Sequence, residues 1–163
     1  MNASLAHTRR LVCQMQFLAE ELQGAAPGRV VMSWRQKTVS LPDEQAQVML
    51  NPMERTLYRL FLVHPEGISA DDLILHWKEL QDIYAKESCF DDPDIRDAKL
   101  ASLCGESKRV FYSTVSRIKK KFIDKLGPWR AGAYIIKNEG GVYKMKAKLT
   151  ESETRRFGCP PSR

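Results

Sequence analysis

The chain has 163 residues, 43% of them hydrophobic and 28% charged, which is ordinary for one globular domain with tails. No run approaches the eighteen or so apolar residues of a membrane span, and the N-terminus lacks the apolar segment of a signal peptide. These features exclude an integral membrane protein and predict a cytoplasmic one. The four cysteines are scattered, which excludes a compact disulfide framework and a zinc ribbon and predicts reduced thiols.

Charge is distributed unevenly along the chain. Residues 42–104 hold 6 Lys and Arg against 13 Asp and Glu, a net charge of −7, whereas residues 105–149 hold 12 against 3, a net charge of +9. This polarity favours one surface that binds a polyanion and another that repels it or meets a different partner. The alternative is self-neutralisation, in which the acidic half folds against the basic half.

The N-terminal segment, residues 1–28, is predicted to contain an amphipathic helix and a linker. Apolar side chains recur at helical spacing over residues 5–22, and the stretch "QGAAPG" then ends the helix. Such a helix can pack on its own domain or act as an arm for dimerisation.

Short strands and a capped helix are predicted next. Residues 29–50 contain the runs "RVVMSW", "KTVSL" and "QVML", which predict three short strands separated by polar turns. A helix follows, with Asn51 as its N-cap, Pro52 at the first helical position and Glu54 at the third. The corner "HPEG" ends this helix.

Two further helices are predicted before the basic half. Ser69 and Asp72 form a start like a capping box for a helix through "ADDLILHWKELQDIYAKE". A loop and a short helix follow, the latter capped by Asp92 ahead of Pro93 and ended by Gly105.

The stretch "VFYSTVSRIKKKFIDKLG", residues 110–127, predicts an amphipathic helix with a cationic outer face. At about 100° per residue, five apolar side chains share one side of the helix and are expected to be buried. They are Phe111, Val115, Ile118, Phe122 and Leu126. Basic and hydroxyl side chains occupy the opposite half, with Lys121 near its edge. They are Arg109, Ser113, Ser116, Arg117 and Lys120.

A basic β-hairpin is predicted over residues 133–149. Two β-rich runs flank "KNEGG", whose Asn and Gly residues suit a tight turn. In the second run Tyr143 and Met145 fall on one face, and Lys144 and Lys146 fall on the other. One face of the hairpin can therefore pack while the other presents charge.

The order of these elements over residues 29–149 resembles the winged-helix effector domain of OmpR/PhoB-type response regulators. In "VMLNPMERTLYRLFLVHPEGI" a strand leads into a Leu-rich helix and a Pro/Gly corner, "VSRIKKKFIDKLG" is similar to the recognition helix, and "YIIKNEGGVYKM" is similar to the wing. The resemblance implies an α+β fold, namely a winged helix-turn-helix with an N-terminal small antiparallel sheet, three core helices and a C-terminal β-hairpin wing. To this fold the chain adds an N-terminal helix and a polar tail, residues 150–163, that is expected to be disordered.

The resemblance also implies a recognition helix over about residues 107–126 that enters a groove of double-stranded DNA, with lysines flanking the wing. In helix-turn-helix proteins, contacts to phosphates position the protein and contacts to bases specify the sequence. The DNA-binding residues implied are Arg109, Ser113, Ser116, Arg117, Lys120, Lys121, Lys137, Lys144 and Lys146.

The function expected is that of a small transcriptional regulator, without a receiver domain because the 28 preceding residues are too few. The alternative is a protein–protein interaction module without DNA binding, using the N-terminal helix, also for self-association, or the acidic insert at residues 87–106. An enzyme is not expected, because no nucleophile or general-base motif surrounds the histidines. No cofactor or metal is expected either, since His76, Cys89 and Cys104 match no common ligand spacing.

Overall fold

The structure is a computed structural model that describes residues 6–12, 14–15 and 28–150. The predicted α+β class is confirmed. Residues 6–12 and 14–15 are helical and form α1, which agrees with the predicted N-terminal helix. The remaining residues of the predicted helix at 5–22, the linker "QGAAPG" up to residue 27 and the tail at 151–163 lie outside the described residues.

A four-stranded sheet begins the main body. Strands β1 (Arg29–Met32), β2 (Val39–Leu41) and β3 (Ala46–Val48) are antiparallel, which confirms the three predicted strands. The C-terminal strand β7 (Lys148–Leu149) pairs in parallel with β1, so the order is β3-β2-β1-β7. The parallel fourth strand was not predicted, because it pairs residues from opposite ends of the domain.

Four helices pack with this sheet around one core. They are α2 (Pro52–Val63), α3 (Trp77–Glu87), α4 (Pro93–Leu103) and α5 (Arg109–Ala131). Apolar side chains of all four helices are buried, together with those of β1 and β2. Helix α4, predicted as a short helix of the acidic insert, therefore joins the three predicted helices in the core.

The start of α2 confirms the predicted capping box. The Asn51 backbone N–H donates to Glu54 Oε2 at 2.9 Å, and the Glu54 backbone N–H donates to Asn51 Oδ1 at 2.8 Å. Pro52 occupies the first turn, where a missing N–H costs nothing. Asp92 caps α4 in a similar way by accepting a hydrogen bond from the Asp94 backbone N–H at 2.9 Å.

The predicted helix start at Ser69 is wrong. Ile68–Ser69 form strand β4, Asp72–His76 form a 3₁₀ turn, and α3 begins only at Trp77. The Ser69 hydroxyl does accept a hydrogen bond from the Asp72 backbone N–H, at 3.1 Å, so the local capping pattern is real. The segment is nevertheless extended, because it pairs with a strand about seventy residues later.

Helix α5 differs from the predicted range of 107–126 at both ends. It begins at Arg109 because Lys108 adopts a left-handed conformation, with φ of 53°. Towards its end the helix breaks at Gly127, whose φ of 83° and ψ of 159° are open mainly to glycine, and Pro128 then starts a final turn to Ala131.

The predicted hairpin is present but shorter than expected. Strands β5 (Lys137–Glu139) and β6 (Val142–Lys144) are antiparallel, and β4 pairs with β6 to give the order β4-β6-β5. Residues 133–136 are not a strand. The carbonyl of Tyr134 instead accepts a hydrogen bond from the buried Tyr58 hydroxyl at 2.8 Å.

A buried ion pair connects the end of α3 to α2. Arg55 Nε donates to Glu87 Oε2 at 2.5 Å, and both side chains are almost completely buried. Arg59 lies one helical turn along α2, 3.7 Å from the other Glu87 oxygen, with its guanidinium 3.6 Å from the centre of the Trp34 ring. These contacts neutralise charges that would otherwise be buried alone.

Candidate nucleic-acid interface

Helix α5 buries the stripe that its sequence predicts. Phe111, Val115, Ile118 and Phe122 are all buried, and Phe111 also contacts the ring of Phe61 on α2. Leu126, at the edge of the break, is half-buried. Burial of this stripe fixes the rotation of the helix and turns its opposite side outward.

The outward side of α5 carries cations that form no ion pair within residues 28–150. Arg109, Arg117 and Lys120 are exposed, Ser116 is exposed between them, and Lys119 is exposed at the edge of this side that borders the hairpin. The described carboxylates that form ion pairs do so with residues other than these four cations. The positive charge of this face is therefore not neutralised by the acidic half of the described chain.

Two of the predicted DNA-binding residues on α5 have structural partners. Lys121 Nζ lies 2.5 Å from Glu54 Oε2, and Glu54 is only 1% exposed. Ser113 is half-buried, and its hydroxyl donates to the Val110 carbonyl one turn earlier, at 3.1 Å. Lys121 thus connects α5 to the start of α2, and Ser113 bonds within its own helix.

The hairpin presents two chemically different faces. Its turn depends on Gly140 and Gly141, both with positive φ, and Asn138 Oδ1 accepts a hydrogen bond from the Gly141 backbone N–H at 2.8 Å. Asn138 pairs directly with Tyr143, and Tyr143 meets Phe111 of α5 edge-on, with ring centres 5.0 Å apart. This face therefore packs towards α5 through Tyr143. Met145, predicted on the same strand face, lies beyond the end of β6 and lines a cavity with Lys144 and Lys146.

A groove of about 500 Å³ separates α5 from that hairpin face. Ser116 and Lys119 line it from the helix, and Lys137 and Asn138 line it from the hairpin. The floor is apolar, and Tyr112, 47% exposed, stands at its side. Of the predicted residues, the groove brings together Ser116 and Lys137.

Tyr112, Lys119 and Asn138 were not predicted to belong to the interface. On a helical wheel Tyr112 and Lys119 fall close to the buried stripe, and this position indicates burial when the helix is considered alone. Both are nevertheless exposed where they line the groove, and the Tyr112 ring lies beside Tyr143 of the hairpin, with ring centres 6.3 Å apart. The lysine run itself was the available signal for Lys119.

Lys144 and Lys146 lie on the other face of the hairpin. They line a smaller cavity of about 190 Å³ together with Glu139 and Lys137. Lys144 Nζ is 3.8 Å from a Glu139 carboxylate oxygen, so part of its charge is neutralised. The predicted set of lysines is thus divided between two surfaces, and Lys137 borders both.

The acidic insert is held by its own contacts. Leu100 and Leu103 of α4 are buried in the core, and Asp97 accepts a hydrogen bond from Gln81 of α3 at 3.0 Å. Asp71, before the 3₁₀ turn, lies 3.7 Å from Lys108, which directly precedes α5. Among the described residues, the cations on the outward side of α5 are therefore free of the insert's carboxylates.

A second cluster of titratable side chains lies at the corner between α2 and α3. Glu79 contacts both His64, at 2.8 Å, and His76, at 3.2 Å, and Glu66 lies 2.8 Å from the other nitrogen of His64. Burial alone would lower the pKa of His64, but the hydrogen bonds to Glu79 and Glu66 outweigh it and the pKa is raised. The hydrogen bond with His64 lowers the pKa of each of the two glutamates.

Comparison of the chain with family models, with curated proteins and with solved structures gives no match. Within residues 6–12, 14–15 and 28–150, no helix combines the length and the apolar character needed to cross a bilayer. The function has to be inferred from the charges and contacts described above.

Proposed function

We propose that the protein is a winged-helix transcriptional regulator that binds double-stranded DNA, with α5 as its recognition helix and the β5–β6 hairpin as its wing. The observation that carries this proposal is the outward side of α5, where Arg109, Arg117, Lys119 and Lys120 are exposed and unpaired within the described residues. A dense polyanion is the natural partner of four such cations on one rigid helix.

The dimensions of α5 suit a DNA groove. From Arg109 to Lys120 the helix rises about 17 Å at about 1.5 Å per residue, a length comparable to about five base pairs. The major groove of B-DNA admits one α-helix, and Arg and Lys are the side chains that most often read guanine there. Arg109, Arg117 and Lys120 are therefore assigned to bases and nearby phosphates.

The groove between α5 and the hairpin is lined by cations and hydrogen-bond donors that can bind a phosphate backbone. Lys119 and Lys137 stand on its two sides, and Ser116 and Asn138 add neutral hydrogen-bond donors. Phosphate contacts from two elements fix the angle at which a recognition helix enters the DNA. Lys144 and Lys146, on the far face of the hairpin, are assigned to long-range attraction of the strand beyond the wing.

A protein–protein interaction module is the second candidate, and exposed apolar side chains favour it. Leu75 is 77% exposed and Ile74 is 50% exposed in the 3₁₀ turn before α3. In α1, Met15 is 70% exposed, and Leu11 and Val12 are about half exposed. Neighbouring apolar residues left in water are typical of surfaces that meet a partner or a second copy of the chain.

Fluorescence anisotropy of the full chain on labelled mixed-sequence duplex DNA, at low and physiological salt, tests the proposal. Released counterions make log K fall with log salt by about 0.9 for each phosphate neutralised. Five exposed cations, counting Lys137, therefore predict a slope of about −4 to −5. The double variant R117E/K120E is expected to abolish binding while keeping the parent's circular dichroism spectrum and Tm.

The matched control is R35E/K78E, which makes the same change in net charge at exposed positions that do not line the groove. It is expected to bind DNA within about threefold of the parent. No binding of the parent even at low salt, or equal loss in both double variants, would contradict recognition by α5. The first of these results would favour the second candidate, a protein partner that binds at Leu75 and α1.

A further inference from the structure

The geometry points to a binding site for Zn²⁺, or a similar first-row divalent cation, formed by His64, His76 and Glu79. One donor atom from each residue lies within 4.8 Å of the other two. Among residues 6–12, 14–15 and 28–150, these three form the sole group of His, Cys, Asp and Glu side chains close enough to share an ion. The inference does not depend on DNA binding.

The present distances are close to those of a metal site. His64 Nε2 lies 2.8 Å from Glu79 Oε2, and His76 Nδ1 lies 3.2 Å from Glu79 Oε1. In a tetrahedral zinc site with bonds of about 2.1 Å, neighbouring ligand atoms are separated by about 3.4 Å. Small rotations of the three side chains would therefore open the space for the ion.

The ligand set selects the class of cation. Two imidazoles and one carboxylate suit zinc and related transition metals, whereas calcium and magnesium prefer oxygen ligands alone. The His64 and His76 side chains are 18% and 22% exposed, and that of Glu79 is 46% exposed. Water can reach the open fourth position, so an ion can enter from solvent.

Glu66 supplies the orientation that a zinc-bound histidine usually has. Its Oε1 lies 2.8 Å from His64 Nδ1. When that nitrogen carries the proton and donates a hydrogen bond to Glu66, the lone pair of Nε2 is directed towards Glu79 and the ion. Glu66 is thus a positioning residue, because it contacts a ligand and not the ion.

The fold explains why these residues meet. His64 is the C-cap of α2, where the helix dipole favours a positive charge, and His76 is the N-cap of α3. Glu79 follows His76 by three residues, which places both on one side of the first turn of α3. An ion held here would fasten the end of α2 to the start of α3 across strand β4.

Isothermal titration of Zn²⁺ into the chelator-treated full chain, with Co²⁺ absorption spectroscopy, tests the site. We expect one tightly bound ion per chain, a rise in Tm on adding Zn²⁺, and a Co²⁺ spectrum with N/O ligands and no thiolate bands. H64Q and H76Q should each weaken binding at least tenfold and remove the rise in Tm. Glu66→Gln should weaken it about tenfold.

H7Q is the matched control, because His7 is the third histidine and lies in α1. It should bind Zn²⁺ as the parent does. If H64Q or H76Q does not fold in the absence of metal, Glu79→Gln provides the same test with a nearly isosteric side chain. The inference is overturned if the parent binds no Zn²⁺, or if Zn²⁺ binding survives in H64Q/H76Q or E79Q. Thiolate bands in the Co²⁺ spectrum would overturn it as well, because they would show that cysteines hold the ion.

Discussion

Lys120 and Lys121 are neighbours in the sequence, yet the structure gives them different roles. Lys120 is exposed on the outward side of α5. Lys121 Nζ lies 2.5 Å from Glu54 Oε2, and its side chain is 38% exposed. Lys120→Met and Lys121→Met make the same change in charge and volume, so each variant is the control for the other. We expect the first to weaken DNA binding and the second to weaken the fold.

The loss of folding stability expected for Lys121→Met depends on the partners that Glu54 keeps. One carboxylate oxygen keeps the Asn51 backbone N–H, at 2.9 Å, while the other is buried without a partner in the described chain. Breaking a fully buried ion pair costs about 3 to 5 kcal/mol. Because Lys121 is partly exposed, we expect a loss of about 1 to 3 kcal/mol in the free energy of unfolding, or about 4 to 12 °C in Tm.

The loss of DNA affinity expected for Lys120→Met follows from counterion release. Loss of one phosphate contact removes about 0.9 of a released ion, which at physiological salt lowers affinity about fivefold and makes the salt slope shallower by about 0.9. Thermal unfolding and anisotropy on one preparation measure both quantities. Equal falls in Tm for the two variants, or a fivefold loss of affinity in folded Lys121→Met, would refute this division of roles.

Three further predictions concern the fold. Glu87→Ala leaves the buried Arg55 without its carboxylate and should lower the free energy of unfolding in urea by about 3 to 5 kcal/mol. Burial and nearby carboxylates raise the pKa of Tyr134 to about 12, so the folded state holds this proton more tightly than the unfolded chain does. The free energy of unfolding is therefore expected to fall as the pH rises from 10 towards 12, and unfolding measured across that range tests this. Gly127→Ala forces a side chain into a backbone conformation that only glycine adopts readily and should cost about 1 to 3 kcal/mol by thermal unfolding.

Each of these predictions has a specific control. Asp82→Ala breaks an exposed pair with Lys78 and should cost less than about 0.5 kcal/mol, so a similar loss in Glu87→Ala would show that burial is not decisive. Tyr134→Phe should remove part of the pH dependence above pH 10, and an unchanged profile would contradict the raised pKa. A Cβ at Gly127 meets no atom within 4 Å, so any loss in Gly127→Ala arises from the backbone, and a neutral result would show that no strain exists there.

The features predicted correctly from the sequence are those that neighbouring residues determine. The capping box at Asn51 and Glu54 needs only a spacing of three residues, and the structure shows both of its hydrogen bonds. The stripe from Phe111 to Phe122 needs only the period of a helix, and it is buried. Such local patterns hold because short-range geometry leaves few alternatives.

The features missed depend on residues far apart in the chain. Ile68 became strand because it pairs with Tyr143, and a local capping pattern cannot reveal that partner. The contact of Lys121 with Glu54 spans 67 residues. The helical wheel does not include that partner and shows Lys121 only near the edge of the cationic face. The sequence does not reveal that His64 and His76 lie together, because only the corner between α2 and α3 brings them to the same glutamate.

The parallel pairing of β1 with β7 has a consequence for how the protein is made. Arg29 pairs with Lys148 near the opposite end of the domain, so closing the sheet requires all of the residues from 29 to 148. Contacts between such distant residues slow folding, because a long loop must lose entropy before the pairing gives anything back. During synthesis β1 therefore lacks its β7 partner until Lys148 and Leu149 have left the ribosome, and an unpaired strand edge in a nascent chain is a site for aggregation or chaperone capture.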